Sequence, residues 1–479
     1  MSPMSPMSVD AVIIGGGPAG LSLGRLLASW GHSVRLLCAP CDRSRGLAES
    51  LPPSCRKLLS EVGVLDAVDG AGFIRATGNT SWWASDEPRV ESFDIPGHQI
   101  FRPDFDDLLL ECARAAGADV RPAIVRRVDG ANVVYDDGGA RRSVSCRFVI
   151  DASGRAGIVA RRYRTIDDAR MFGYVGVWTS DRGWDLPEPS HTLVESFDEG
   201  WAWSVPTGPT ENAERRTPAT RHIGVMVGNA GGTYESLLAR TRVMQRLTRR
   251  ATLERAFACD ASTYSSSTCA GPQFLLVGDA ASFIDPLSSF GVKKALASAW
   301  LGAIAVNTCL TDAGRRDVAL EFFSERERAM QATHAIATRA FAREAYARYA
   351  TPFWERRIAA PAPHADDSAA DPELAPKVAA VFERFKAAAS VELRLADRLP
   401  LERRPIVRGR EIVLEDALEG GLRFVGNVDL LELARIAPRH RQVPDLFEAY
   451  CRDCAPVPLP SVVSGLSLLV AKGILHERT

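Results

Sequence analysis

The apolar run Val9–Ile14 leads into Gly15-Gly16-Gly17-Pro18-Ala19-Gly20 and then into a helical pattern that ends near Ser29. Glycines spaced as Gly15-x-Gly17-x-x-Gly20 leave few folds open. The first allows a tight turn from strand to helix. The second lets a diphosphate approach the backbone, and the third lets the helix pack on the strand. A helix starting there turns its free N–H groups and partial positive charge toward an anion. Gly31-His32-Ser33 turns the chain into a second strand, Val34–Leu37, completing a βαβ unit. An acidic residue commonly ends that strand and binds ribose hydroxyls. Cys38 stands there instead, and Asp42 on the next loop is the nearest substitute.

Further elements follow from periodicity. Arg102–Ala116 carries Phe105, Leu108, Leu109 and Cys112 at helical spacing. Phe148–Asp151 and Phe274–Val277 read as short strands. Phe172–Val227, rich in aromatic and β-branched residues, reads as an antiparallel sheet. Arg315–Arg348 is a long, charged, Ala-rich helix that stops near Thr351-Pro352, because a residue before proline resists helical geometry. Ile358–Pro376 has no periodicity and reads as a linker or lid. The chain is therefore expected to be α/β. A Rossmann-like domain spans 1–165 and 266–350, with 71–101 contributing to the substrate side. An inserted β-rich substrate-covering domain spans 166–265. A linker spans 351–377, and a small α/β domain spans 378–479.

At 479 residues, 46% hydrophobic and with a net charge of -1, the chain can bury a large core and offers no basic face for nucleic acid. It holds no apolar run long enough for a membrane span. Met1–Ser8 lacks the basic and apolar regions of a signal peptide, so a cytoplasmic location is expected. Ten cysteines include the pairs Cys38/Cys41 and Cys451/Cys454. In a reducing compartment these read as loop and helix-surface thiols, and no metal is expected.

Gly278-Asp279-Ala280, then Asp285-Pro286, then Gly291 opening a helix, resembles the second flavin motif of FAD-dependent monooxygenases and halogenases. Arg102-Pro103-Asp104-Phe105-Asp106-Asp107-Leu108-Leu109 is similar to their Arg-x-x-Phe-Asp-x-x-Leu helix. Asp151-Ala152-Ser153-Gly154 is similar to their turn after the adenine-binding sheet. The resemblance implies FAD as cofactor, held by Gly15, Gly17, Pro18, Ala19, Gly20, Ser50, Arg102, Asp279, Pro286, Gly291 and Val292. It implies that Asp279 holds ribityl and phosphate oxygens, and that the helix from Gly291 aims its positive end at the flavin ring.

Glu49-Ser50-Leu51-Pro52 and Trp201-Ala202-Trp203-Ser204-Val205-Pro206 resemble two signatures of the halogenase branch, with Val205 for isoleucine. The second implies a substrate pocket bounded by Trp201, Trp203 and Phe290. Its bland reading is a core strand whose indoles pack inward. Halogenases carry an essential lysine on a strand after the proline loop, and Ile74 falls there. Arg75, next to it, faces the opposite side of a strand. The acidic and threonine positions before Gly291 are Ser288 and Phe290. These departures turn the expected chemistry from halogen to oxygen transfer. Reduced flavin and O2 would give a C4a-hydroperoxide that delivers oxygen to an electron-rich ring. Glu49 is a candidate for proton transfer, or it only holds the loop or the ribose. Lys293 pairs with the flavin, or it is a solvated helix lysine.

The C-terminal segment reads as an extended stretch over Arg408–Glu415 and helices over Val428–Ala434, from Pro444 to Cys451 and from Pro460, the last capped by Ser461 or the preceding turn. It ends in Ile474-Leu475-His476. This resembles winged-helix units and the peptide-binding domains of enzymes that modify ribosomal peptides. Joined to a halogenase-like core without the lysine, it is similar to the flavin monooxygenases that mature cysteine tryptophylquinone enzymes, of the quinohemoprotein amine dehydrogenase type. That resemblance implies a Trp-containing protein or peptide as substrate and O2 as co-substrate. No second nicotinamide fingerprint is present, so electrons come from transiently bound NAD(P)H or a separate flavin reductase. A halogenase of an aromatic substrate, a prenyl-chain-reductase-like flavoprotein and a non-catalytic protein with structural FAD are the other classes open.

Overall fold

A computed structural model describes residues 8–207, 219–229, 231–359, 374–388, 390–396 and 399–477. The chain divides into two compact units, Met1–His364 and Ala365–Thr479.

The first unit is built on two large sheets. Five parallel strands form the heart of one, in the order Phe274–Leu276, Ala140–Asp151, Ser8–Ile14, Val34–Cys38 and Asp119–Pro122. Ser8–Ile14 lies at the centre, and Ala11, Val12 and Ile13 are fully buried. A strand covered on both faces must be apolar, and this one is so over Ala11–Ile14, its buried half. The helices Pro18–Ser29 and Gly291–Thr311 pack together beside it.

The second sheet has eight strands, in the order Thr252–Asp260, Phe172–Ser180, Ala219–Val227, Gly200–Thr207, Thr192–Phe197, Ile74–Trp82, Arg89–Phe101 and Ala48–Leu51. Only the pairing of Thr192–Phe197 with Ile74–Trp82 is parallel. Three of its strands thus come from the first 101 residues, interleaved with the Rossmann strands. Ala48–Leu51, read from sequence as part of a loop, is an edge strand of this sheet.

The long helix runs Arg316–Tyr349 and ends at Ala350 in the left-handed region, φ +49°. The stretch 351–377 is not a plain linker. Pro352–Ala359 forms a helix whose Trp354 is fully buried, edge-on to Trp83. Its bulky indole needs a core, which composition alone did not assign to it. A helix also starts at Leu374; residues 360–373 lie outside those described.

In the second unit the expected single extended stretch Arg408–Glu415 is a hairpin. Leu401–Arg408 pairs antiparallel with Glu411–Leu418, and Gly409, φ +57°, makes the turn. Gly409 supplies the positive φ that such a turn needs. Three helices follow: Leu430–Ile436, Val443–Asp453 and Leu459–Ala471. The Asp429 carboxylate caps the first, accepting from Leu431 and Glu432 N–H groups. Ser461 lies inside the third and does not cap it; the chain enters from Pro458 without a side-chain cap. Leu475–Glu477 closes the unit against Leu393–Leu395. Leu430, Leu433, Leu446, Leu466 and Leu475 share its core.

Among the described residues, no helix is long and apolar enough to cross a membrane, and no group of three or more His, Cys, Asp or Glu side chains is placed to hold a metal.

One feature of the second sheet sets an acid limit. His222 is buried with no partner on Nδ1, and burial, aided by Arg255, pushes its pKa down to about 4. Burial also lowers His98 and His191. A histidine kept neutral in the fold contributes full stability above its ordinary pKa of 6.5 and loses it as pH falls toward about 4. Urea midpoints should therefore drop across that window. His222→Phe should flatten the slope, and an unchanged slope would count against His222 as its source.

Candidate functional site

The two flavin-type motifs meet at one cavity of 810 Å³. Gly15 turns at φ +119°, and a Cβ there would lie 2.3 Å from the Ala152 carbonyl oxygen. A Cβ on Gly20 would lie 2.1 Å from the Gly15 oxygen. Gly17 differs: the nearest atom to a Cβ there is Arg102 Nη2 at 3.8 Å. Its α-carbon therefore faces open space, as close approach of a diphosphate requires. Gly17 is also the N-cap of the helix Pro18–Ser29, with no side-chain cap and no acid in the first turn, so the N–H groups are left for a ligand.

Arg102 opens the helix Arg102–Ala115 directly after the strand Arg89–Phe101. Its guanidinium donates to Glu49 Oε1 at 2.6 Å and to Asp106 Oδ2 at 3.2 Å. The Glu49 and Arg102 side chains are each 25% exposed, and both line the cavity. Burial works against the Arg102 charge, but Glu49 and Asp106 outweigh it and raise its pKa. Burial raises the Asp106 carboxyl, against the pull of Arg102. Glu49 Oε2 also lies 3.9 Å from where a Cβ on Gly291 would stand, so it reaches the start of the second motif's helix.

Across the cavity, Gly278–Ala280 is a single 3-10 turn, and Pro286–Ser288 another. Asp279, Pro286, Gly291 and Val292 line the wall, as do Gly15, Gly17, Pro18, Ala19 and Ser50. The helix Gly291–Thr311 begins without a side-chain cap or a first-turn acid. Its free N–H groups open on the same space and suit an anionic ring edge. Cavity and donors together fit FAD. The ribose end departs from the usual pattern. Cys38 lines it with a thiol that burial pushes up to about 11, while Asp42 turns onto Ser44.

Trp201, Trp203, Thr192, Val194, Val205 and Leu287 form an apolar chamber in the same cavity. Trp201 and Trp203 point the same way from one strand. Trp203 lies opposite Gly224, whose missing side chain makes room for it: a Cβ there would lie 2.3 Å from the indole. Trp201 is only 2% exposed and also packs in the core with Met226 and Phe353. The indole thus belongs to the core and to the cavity wall at once.

Two candidates lie off the cavity wall. Lys293 donates to Ser54 Oγ at 2.9 Å and sits 4.7 Å from the Phe290 ring. Phe290 in turn meets His334, ring centroids 5.3 Å apart. Helix phase explains the lysine: Val292 and Ala295 face the cavity, so residue 293 turns about 100° away. Sequence reasoning passed over Lys294, which is buried and donates to the Gly278 and Ser282 carbonyls. Nothing local distinguishes two adjacent lysines except that phase.

A profile of the FAD binding domain matches residues 8–337. Tryptophan 2-halogenase of Chondromyces crocatus is 31% identical over 340 residues, 66% of this chain; the match spans 63% of that protein's length. Among solved structures, the flavin-dependent halogenase CmlS superposes with a TM-score of 0.74 at 20% identity, covering 99% of this chain and 96% of its own. QhpG, a peptidyl tryptophan dihydroxylase essential for tryptophylquinone cofactor biogenesis, superposes with a TM-score of 0.68 at 21% identity, covering 97% and 99%.

Proposed function

The chain belongs to the FAD binding domain family of flavin-dependent halogenases and monooxygenases, and on that premise we propose that it hydroxylates a tryptophan ring within a polypeptide, in the biogenesis of a cysteine tryptophylquinone-type cofactor. When bound, reduced FAD supplies an electrophilic oxygen taken from O2. The chain's own residues do the rest. Gly15, Gly17 and Gly20 admit the diphosphate, with Pro18 and Ala19 beside it. Asp279 accepts from the cofactor's hydroxyls. Arg102, held by Glu49 and Asp106, faces the diphosphate and flavin. Pro286, Gly291 and Val292 bound the ring. Thr192, Val194, Trp201, Trp203, Val205 and Leu287 exclude water and seat an aromatic ring. Glu49, on the cavity wall and paired with Arg102, is the candidate for proton transfer, or it only holds the loop or the ribose.

One observation carries the choice of oxygen over halogen. The halogenases' capture of hypohalous acid rests on a lysine, and the sequence has no lysine between Lys57 and Lys293. No strand of the second sheet can therefore present one, whatever the alignment. Lys57 is exposed on the helix Cys55–Val62, Lys293 is tied to Ser54, and Lys294 is buried behind Asp279. Arg75 donates to Asp69 and does not line the cavity.

The polypeptide substrate is supported by the second unit and by the near-complete coverage of QhpG. Leu401–Arg408 and Glu411–Leu418 pair only with each other among the described strands, and Leu401, Leu414 and nearby Phe424 are exposed. A hairpin with exposed apolar side chains suits an added peptide strand. NAD(P)H or a separate reductase supplies the electrons.

The test is incubation with FAD, a flavin reductase, O2, halide and a Trp-containing polypeptide. We expect oxygen from labelled O2 in the peptide and no halogen isotope pattern. Removing residues 365–479 should weaken the substrate complex roughly tenfold or more. A chlorinated or brominated product would sink the proposal, as would free tryptophan reacting as efficiently as the polypeptide.

A further inference from the structure

Behind the Gly278–Asp279 turn lies a cluster of buried polar groups. Lys294 is 1% exposed; its ammonium donates to Gly278 O at 2.8 Å and Ser282 O at 2.6 Å and stands 3.9 Å from Asp279 Oδ1. One turn further along the same helix, fully buried Ser298 accepts the Gly278 N–H at 2.8 Å. One helix thus grips the turn at i and i+4 by both its N–H and its C=O. Glu327, 1% exposed, comes in from the long helix; Ser298 approaches it, but neither carboxylate oxygen has a hydrogen bond of normal geometry. The groups facing Asp279 are Lys294, Arg102, Glu49 and Arg155. Those facing Lys294 are Asp279, Glu327, His334 and Cys269.

A lysine in the interior costs several kcal/mol unless its charge is used. In a chain with six lysines, one is spent here, with no solvent and no salt bridge shorter than that to Asp279. We propose that Lys294 is a positioning residue for the flavin: it locks the Gly278–Ser282 segment and keeps Asp279 ionised, so that the carboxylate accepts from the cofactor's hydroxyls. The inference rests on Asp279 being a cofactor ligand. Burial raises the Asp279 carboxyl, and Lys294 is the largest opposing influence, ahead of Arg102. Without the ammonium, Asp279 takes up a proton closer to neutrality, and affinity then falls as pH falls.

The experiment is FAD titration of the purified full chain from about pH 8 down to about pH 6. Wild type should bind with little pH dependence. Lys294→Met and Lys294→Gln should each bind roughly tenfold more weakly at the upper end, and more weakly still at the lower end. Lys294→Met/Asp279→Asn should lose that slope, which a merely structural role would not affect. A Lys294 variant with wild-type affinity, or with a loss equal at every pH, overturns the proposal. If Asp279→Asn binds as tightly as wild type, the cofactor assignment itself fails, a separate result. Should neither lysine variant fold, the infrared difference between wild type and Asp279→Asn decides. An ionised carboxylate band at neutral pH supports the proposal; a protonated carboxyl band overturns it.

Discussion

Gly17→Asp is expected to abolish FAD binding and leave the protein folded. A Cβ at residue 17 meets nothing closer than Arg102 Nη2 at 3.8 Å, so a side chain can enter the cavity without moving backbone. Its carboxylate would stand where the diphosphate must lie and would pair with Arg102. Opposing like charges costs several kcal/mol, about a thousandfold in affinity. Gly15→Ala should behave differently. It adds a Cβ 2.3 Å from a carbonyl oxygen at φ +119°, where strain and overlap together cost roughly 3 kcal/mol or more. Thermal melts with flavin fluorescence separate the two: Gly17→Asp should melt like wild type without flavin, and Gly15→Ala should melt early. A Gly17→Asp protein that retains flavin would mean that the loop is not the phosphate site.

Arg221→Met is expected to cost roughly 3–5 kcal/mol. Arg221 is completely buried in the second sheet. It donates to Ser204 Oγ at 2.8 Å and to the carbonyls of Pro189 at 2.8 Å and His191 at 2.7 Å. Burial pulls its pKa down to about 9, which still leaves it charged at neutral pH. Its charge is satisfied by backbone, and backbone acceptors cannot be exchanged for apolar groups. Removing the donor therefore strands those carbonyls, and methionine's good packing does not restore them. The loop it holds, Pro189 to His191, leads into Thr192 on the chamber wall. Denaturant midpoints should fall by that amount; a loss under about 1 kcal/mol would show that water replaces the guanidinium.

The parts of this site that were legible in the sequence are those where backbone conformation or close approach restricts residue choice. Gly15, Gly17 and Gly20 are of that kind, as are the Gly-Asp-Ala turn and the Arg102 helix. What was not legible depends on distant partners. Ala48–Leu51 becomes a strand only because Arg89–Phe101 lies beside it, and Pro52-Pro53 nearby suggested a loop. Trp203 needs Gly224, twenty-one residues on, to lie flat. Lys293 and Lys294 are chemically alike, and helix phase alone sends one to Ser54 and the other under the Gly278–Asp279 turn. Trp354 looked like linker because its partner Trp83 is far away in sequence. The hairpin from Leu401 to Leu418 was half seen, since its charged first strand carries little apolar alternation.

The glycine loop and the Trp201–Trp203 chamber line one and the same cavity. Two guests in one room cannot be indifferent to each other. If an aromatic guest rests against the cofactor, each tightens its neighbour's hold by the same factor, because equilibrium coupling is reciprocal. The protein's grip on its cofactor then becomes a gauge of whether a substrate ring has arrived.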